Sequence, residues 1–423
     1  HLIHQDYQVA NLAANLSVNG RPGTLWLTQQ DRTDRDYAVF GEASYDILPT
    51  VTFTGGGRYF KYDNTLIGFF GFGRDPNGPP YNAAGSSRTG VAGCFTSTGA
   101  TLRDNPTGKL LPANVPGSFC TNLGTFQGGK IVPKDASDTG FTYKANLTWK
   151  IDSDHLLYGT VSRGYRPGGI NRRAGLSPYA SDFLQNYEIG FKTSWFDRSL
   201  KINGAVFQQE WEKFQFAFLG QNSFTEIHNG PSARIKGVEV DVNWTAAPGL
   251  TFVAAGAYTD AKTRRVLCAY EDTSATCANA GPQGQANYIQ SASGTRLPIT
   301  PQFKINGTAR YEASLTDTAK GHIQAVVVHS SSASSDIRTL SFAPGTGNAY
   351  NPAAGLGRLA AYTTFDFAFG VNWPFLSAEI VVENAFDKRA QLSRYQECGT
   401  CFQRPYVVAN TPRTIGLRLG HNF

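Results

Sequence analysis

Thr411-Pro412-Arg413-Thr414-Ile415-Gly416-Leu417-Arg418-Leu419-Gly420-His421-Asn422-Phe423 decides how the rest of the sequence is read. In a strand, successive side chains point to opposite faces. From Arg413 one face therefore carries Arg413, Ile415, Leu417, Leu419, His421 and Phe423, and the other carries Thr414, Gly416, Arg418, Gly420 and Asn422. A strand that is largely apolar on one side, polar on the other and aromatic at its end suits the wall of a barrel facing lipid.

The same alternation recurs upstream. Over 37–47 the outward set is Tyr37, Val39, Gly41, Ala43, Tyr45 and Ile47, with Glu42, Ser44 and Asp46 turned inward. Over 187–195, Glu188, Lys192 and Ser194 face away from the apolar row, and 365–373 shows a further example. The clearest case sets Val238, Val240, Val242 and Trp244 against Glu239, Asp241 and Asn243.

Connections between these runs alternate in length. Tight ones fall at 48–50, 152–154, 196–199, 246–249, 316–321 and 373–375, all rich in turn formers. Long ones cover 62–140, 167–182, 219–232, 262–300, 330–360 and 387–406. Short periplasmic turns facing long external loops are the habit of an outer-membrane barrel. The periodicity predicts roughly 13 or 14 strands, with Trp195, Phe196, Trp244, Trp373 and Phe375 gathered near the tight turns as an interfacial girdle. The fold class expected is all-β, an antiparallel transmembrane β-barrel.

Composition agrees with that class. No run of eighteen apolar residues occurs, so a membrane helix is excluded, while 13% of residues are aromatic and 45 are glycine. A barrel wall needs only every second residue apolar, which reconciles a lipid-facing protein with a mean hydropathy of −0.29. The net charge of +6 is not concentrated in a basic run, and no nucleic-acid partner is expected. The chain contains no Met and is read as a mature or partial fragment.

Six cysteines fall in pairs within predicted external loops: Cys94 with Cys120, Cys268 with Cys277, and Cys398 with Cys401. Six cysteines allow 15 pairings, but segregation into separate loops favours three local disulfides in an oxidising compartment. Cys398-Gly-Thr-Cys401 also invites a redox or zinc reading. No second ligand pair lies nearby, and the motif sits between alternating strands rather than before a helix. No metal site is expected.

Catalytic motifs are missing. There is no Gly-x-Ser-x-Gly elbow, His-Glu-x-x-His pair, phosphate-binding Gly-rich loop or Asp-rich calcium loop. The 7 histidines are scattered, and His228 meets Asp241 or Glu239 only if strand register brings them together. Neither an enzyme nor a cofactor is expected. Three readings of such a chain stand to be weighed: a passive porin, a soluble all-β binding module and an outer-membrane hydrolase.

A set of blocks, taken in order, resembles the C-terminal part of TonB-dependent outer-membrane receptors. They are Asp36-Tyr-Ala-Val-Phe-Gly-Glu-Ala-Ser-Tyr45 with Gly55-Gly-Gly-Arg-Tyr59, Tyr158-Gly-Thr-Val-Ser-Arg-Gly-Tyr-Arg-Pro-Gly-Gly-Ile-Asn171, and Tyr187-Glu-Ile-Gly-Phe-Lys192. Ile235-Lys-Gly-Val-Glu239, Leu297-Pro-Ile-Thr-Pro301, Glu383-Asn-Ala-Phe-Asp-Lys388 and Pro412-Arg-Thr-Ile-Gly-Leu417 complete it. The resemblance implies a 22-stranded barrel closed by an N-terminal plug. Residues 1–423 are then expected to be a β-barrel domain only, with plug and first strands lying upstream.

The same resemblance implies active uptake across the Gram-negative outer membrane of a scarce, bulky ligand such as a ferric siderophore. Its implied partners are TonB, the metal chelate or another small nutrient, and outer-membrane lipid with lipopolysaccharide. Phe69, Phe70 and Tyr81 offer aromatic surface to a planar ligand. Arg166, Arg172 and Arg173, with Asn171 among them, offer charge and polarity at the rim to an anionic chelate. A solvated loop or a lipopolysaccharide contact accounts for the same arginines. Trp211, Phe214 and Phe216 fit either girdle or site.

Overall fold

The computed structural model describes residues 1–10, 17–18, 22–72, 90–172, 176–219, 225–270, 272, 276–280, 286–342, 348–396 and 405–421. Its main body is a single 14-stranded antiparallel sheet in which every strand pairs with its neighbours in the chain. The strands are β1 (Leu2–Gln8), β2 (Thr24–Leu48), β3 (Val51–Phe72), β4 (Lys134–Lys150), β5 (His155–Arg166), β6 (Asp182–Trp195) and β7 (Leu200–Glu212). They continue as β8 (Ala233–Ala247), β9 (Leu250–Thr263), β10 (Phe303–Ser314), β11 (Lys320–Ser330), β12 (Tyr362–Asn372), β13 (Leu376–Glu383) and β14 (Thr414–His421). Among the described residues β1 and β14 are the two edges of this sheet.

Each tight connection named from the sequence joins a consecutive pair at one end, and each long one spans the other end. The two faces separate as the alternation requires. Val238, Val240 and Trp244 stand 44%, 39% and 42% exposed, as side chains meant for lipid rather than for a second packed layer. On the opposite face polar groups bond across strands: Asn203 Nδ2 donates to Asp241 at 2.8 Å, Tyr158 Oη to Glu188 at 2.7 Å, and Asn146 Nδ2 to Thr160 at 2.7 Å. Trp149, Trp195, Trp244, Trp373 and Phe375, all exposed, gather at the tight-turn end. Trp195 meets His155 edge-on at 4.6 Å and Trp244 lies 5.6 Å from Phe252.

The buried apolar clusters form among the long connections instead. One gathers Val18, Leu27, Phe69, Val91, Leu102 and the bonded pair Cys94–Cys120. The other gathers Phe214, Ala233, Ala261, Leu267, Leu297 and Ile337, with Trp211 and Phe216 packed against it. The second disulfide, Cys268–Cys277, forms as expected, while Cys398 and Cys401 lie outside the described residues.

Two boundaries differ from the sequence reading. The first long connection does not start at residue 62, because β3 runs on to Phe72 and pairs with β2 as far as Trp26 and with β4 as far as Lys134. A membrane-spanning strand needs about 9–11 residues, so the upper halves of β2 and β3 form a ribbon standing clear of the bilayer. Pairing continues through Gly68 and Gly71, whose φ of 140° and 130° lie in the region that favours glycine. The segment at 387–406 also contains strand, a hairpin of Gln391–Gln396 with Pro405–Ala409. Phe214 is buried in the second external cluster, and Trp211 and Phe216 pack against it partly buried. The closing Phe423 lies outside the described residues.

Two tests follow. Val240→Lys places a cation in the middle of the lipid-facing row and is expected to cost about 2–4 kcal/mol. Ala255→Lys, on the other face and opposite Asp241, is expected to be tolerated; denaturant titration of protein refolded into vesicles reads both. At the tight-turn end Arg198 Nε donates to Asp154 at 2.7 Å. This bond, with a second from Ser153, holds the Asp154 carboxyl below its ordinary 3.8. A lowered folded pKa means that the contribution is full above the unfolded value and fades as pH falls through the folded one. Asp154→Asn is therefore expected to lower the melting temperature slightly at neutral pH, and the difference is expected to shrink progressively as pH falls below 3.8.

Candidate ligand-recognition site

The rim is organised around one buried carboxylate. Asp182 opens β6 and is 2% exposed. It accepts from Arg166 Nε at 3.0 Å, Trp211 Nε1 at 3.1 Å and the Gln215 amide at 3.0 Å. Arg166 Nη2 also donates to the Gln215 carbonyl, and its guanidinium lies 5.3 Å from the Trp211 ring. Arg166 is thus committed to joining β5, β6 and the hairpin Gln215–Leu219/Thr225–Asn229. It ties the rim together through Asp182 while its side chain stays half exposed.

Asn171 has a similar duty. Its Nδ2 donates to the carbonyls of Ser177 and Ile227, and its Oδ1 accepts from the Ile227 amide at 2.9 Å, so the side chain imitates a strand partner. Asn229 repeats the device on Ala180, accepting from its amide and donating to its carbonyl. Tyr62 Oη receives the Gly168 amide at 2.9 Å and lies 2.8 Å from Ser181 Oγ. The connection after β5 is therefore fastened at both ends to neighbouring elements.

Below it the sheet parts. Pairing of β4 with β5 stops at Tyr143 and Arg163, although β4 continues along β3 and β5 along β6. Phe60 stacks on Tyr165 at 3.5 Å, and Phe183 lies 6.5 Å away, so three rings bridge the opening. A Cβ at position 140 would fall 2.6 Å from Phe60, and the glycine there lets the ring lie across β4. A cleft of about 510 Å³ lies beside this opening, lined by Asp138, Arg163, Phe183, Glu212, Lys213 and Arg265 among others. A second hollow of about 490 Å³ follows the polar wall past Lys192, Glu239, Asp241 and Lys304. Both fall within the size range of small-molecule sites, roughly 300–1,000 Å³.

Phe69 and Phe70 go to opposite sides of the β2–β3 ribbon. Phe69 is fully buried in the first external cluster, so its ring supports the ribbon and offers a ligand no surface. Phe70 shares the register of Trp26 and Phe72, on the side of the sheet that carries Glu42 and Lys144 lower down. Trp26 meets both rings edge-on at 4.7 Å. The guanidinium of Arg172 stands 5.7 Å from the Phe70 centroid. Asn122, itself buried, fixes the Phe70 backbone by accepting its amide at 2.9 Å and donating to its carbonyl at 2.8 Å. Aromatic faces beside a cation suit a planar or anionic ligand. Tyr81 and Arg173 lie outside the described residues.

Sequence reading missed Trp26, Asp182, Asn122 and Asn229. Alternation in 24–28 was the available signal for Trp26. A single Asn or Asp in a loop gives no such signal, since turns use the same residues. His228 sits 3.5 Å from Glu226 on its hairpin, whereas Asp241 bonds Asn203 on the polar wall, so register does not assemble the suspected acid and base.

Comparison with known proteins places this architecture. The fold resembles the ferric yersiniabactin uptake receptor FyuA of Yersinia pestis, with a TM-score of 0.59 and 15% identity over 94% of this chain and 47% of that one. It also resembles the siderophore receptor PiuA of Acinetobacter baumannii, with a TM-score of 0.58 and 14% identity over 93% and 44% of the two chains. A copper transporter, OprC, scores 0.58 at 13% identity, covering 94% of this chain and 49% of that one. Pesticin receptors of Yersinia enterocolitica and Yersinia pestis are 28% and 29% identical over 105 residues, 24% of this chain and 15% of each receptor. The matched structures are thus about twice as long as the present chain. Residues 3–385 match the model of the TonB dependent receptor-like β-barrel, and the chain belongs to the TonB-dependent receptor family as a member of its barrel domain.

Proposed function

We propose that this barrel works in active uptake across the Gram-negative outer membrane, admitting a scarce, bulky chelate such as a ferric siderophore under the drive of TonB. Membership in the family supports the transport class and argues against catalysis. Within the chain, the observation that carries the ligand class is the face made by Trp26, Phe70 and Phe72 with Arg172 above it. Exposed aromatic faces offer a surface on which a planar, polarizable chelator can lie, and a guanidinium meets its negative charge.

Roles divide accordingly. Phe70 and Arg172 contact ligand, joined by Tyr81 and Arg173. Arg166 and Asn171 act through the loop they fasten, and Phe69 through the ribbon it anchors. FyuA, a ferric yersiniabactin uptake receptor, and PiuA, a siderophore receptor, favour an iron chelate. OprC, similar in fold to the same degree, is a copper transporter, so fold alone does not choose the metal. TonB contact belongs to segments upstream of the barrel, and the outer surface meets lipid and lipopolysaccharide.

The test is uptake of a panel of radiolabelled ferric chelates by outer-membrane cells expressing the full protein, with TonB present or deleted. Accumulation of one chelate that disappears without TonB is expected. Accumulation that is indifferent to TonB, with steady ion conductance in a planar bilayer, would make the protein a passive porin. Phe70→Ala and Arg172→Ala are each expected to weaken chelate binding about tenfold, equivalent to about 1.4 kcal/mol. Asn171→Ala is expected instead to raise hydrogen exchange across residues 225–229 and 176–181, with a smaller loss of binding.

A further inference from the structure

The buried polar side chains near the start of β2 are Thr24, Thr28, Gln29 and Gln30. Three of them are in use. Thr24 Oγ1 donates to Asp6 at 2.8 Å, Thr28 Oγ1 accepts from Trp26 Nε1 at 3.1 Å, and Gln29 Nε2 donates to the Pro116 carbonyl at 2.9 Å. Gln30 is 0% exposed, yet neither its Nε2 nor its Oε1 has a hydrogen-bond partner among the described residues. A carboxamide brings two donor hydrogens and an acceptor, and burying them unused opposes folding. Leucine or methionine would fill nearly the same volume without that cost, so packing alone does not account for glutamine here.

Register locates the orphaned carboxamide. Gln30 lies opposite Gly68, between the pairs Thr28 with Phe70 and Arg32 with Leu66, so its side chain leaves the ribbon on the side that carries Trp26, Phe70 and Phe72. Three contacts bring the connection after β5 onto that side. The Gly168 amide meets Tyr62 Oη below Gln30, and the Arg172 guanidinium reaches Phe70 above it. Lys134, opposite Leu66, donates from Nζ to the Leu176 carbonyl at 3.0 Å. Residues 168–172 therefore cross the ribbon at the height of Gln30, and Tyr62, Leu66 and Thr28 beside it are buried as well. The two parts share no backbone ladder at this height, because pairing of β4 with β5 ends lower, at Tyr143 and Arg163.

We infer that Gln30 is a ligand-binding residue held in reserve, whose carboxamide pairs with an amide borne on an aromatic arm of the chelator once ribbon and connection part above the end of the β4–β5 ladder. The inference rests on the chelate reading of the Trp26 and Phe70 face and narrows it to one kind of arm. A carboxamide gives and takes a hydrogen bond at once, so an amide, with N–H and C=O side by side, is its complement. Diagonal neighbours across a strand pair stand about 7–8 Å apart, and Gln30 is diagonal to Phe70. A ring lying on Phe70 thus brings an attached amide to the carboxamide. Because the missing hydrogen bonds are made only with ligand, an arm of equal size that lacks the N–H leaves the group unpaired and is rejected.

The experiment titrates the full protein in nanodiscs, by calorimetry, with two ferric complexes. One is formed by a catechol that carries an N-methylcarboxamide on a carbon remote from both hydroxyls, and the other by the same catechol carrying a methyl ester there. The wild type is expected to bind the amide complex about tenfold more tightly. Gln30→Leu is expected to bind both alike, and to melt no lower than the wild type because it removes an unpaired group rather than a bond. Hydrogen exchange over 167–172 is expected to quicken when the amide complex binds, as the Gly168 amide leaves Tyr62. Equal binding of the two complexes by the wild type, an undiminished preference in Gln30→Leu, or exchange that does not quicken would each overturn the inference. Should Gln30→Leu fail to fold, Gln30→Met must lose the preference for the inference to stand. If Phe70→Ala weakens both complexes while Gln30→Leu changes nothing, the chelate face survives and the role of Gln30 falls. If neither complex binds the wild type, both fall together.

Discussion

Backbone hydrogen bonding in lipid is the constraint on which the structure depends. Inside hydrocarbon an unpaired amide or carbonyl costs several kcal/mol because no water can replace its partner. Ladders between consecutive strands meet that demand along the whole wall, and they leave the side chains to divide into a lipid-facing row and a polar row. Stability of the wall thus lies in the ladder and in cross-strand pairs, not in a buried interior. The apolar clusters around Phe69 and Phe214 lie beyond the bilayer, where the long connections pack as small water-soluble units, each with a disulfide within or beside it.

That division separates a wall of strict alternation from a rim of irregular connections. Below the rim, alternation is rigid, and a one-residue slip would turn Glu239 and Asp241 toward lipid. Above it, β2 and β3 continue as a ribbon, β4 parts from β5, and single side chains such as Asp182, Asn122 and Asn171 determine where loops lie. The rings of Trp26 and Phe70 are on the ribbon, so the aromatic face proposed for the ligand is carried by strand rather than by free loop. A site carried by a paired strand is held more closely than one carried by a loop.

Legibility from sequence follows the same boundary. The strands at 187–195, 238–244 and 365–373 are readable because lipid on one side and polar groups on the other impose strict alternation. Tight turns are readable because few residues can make them. The end of β3 is not, since glycines at 68 and 71 break the pattern exactly where pairing persists through positive φ. Phe69 and Phe70 look equivalent in a string of aromatics, yet a strand sends one into a buried cluster and the other to the opposite face. Arg166 looks like a rim cation, and only the three-dimensional meeting with Asp182, sixteen residues later, shows that its charge is already met. The pairs Cys94–Cys120 and Cys268–Cys277 are legible because each stays within one connection.

Lipid exposure of alternate residues is the claim that everything else assumes. Spin labels placed singly at 238 to 244 in the protein inserted into vesicles measure it, through relaxation by oxygen dissolved in the bilayer and by a nickel chelate confined to water. The account predicts oxygen access at 238, 240, 242 and 244, alternating with nickel access at 239, 241 and 243. Uniform nickel access along the strand, or oxygen access without alternation, would contradict it.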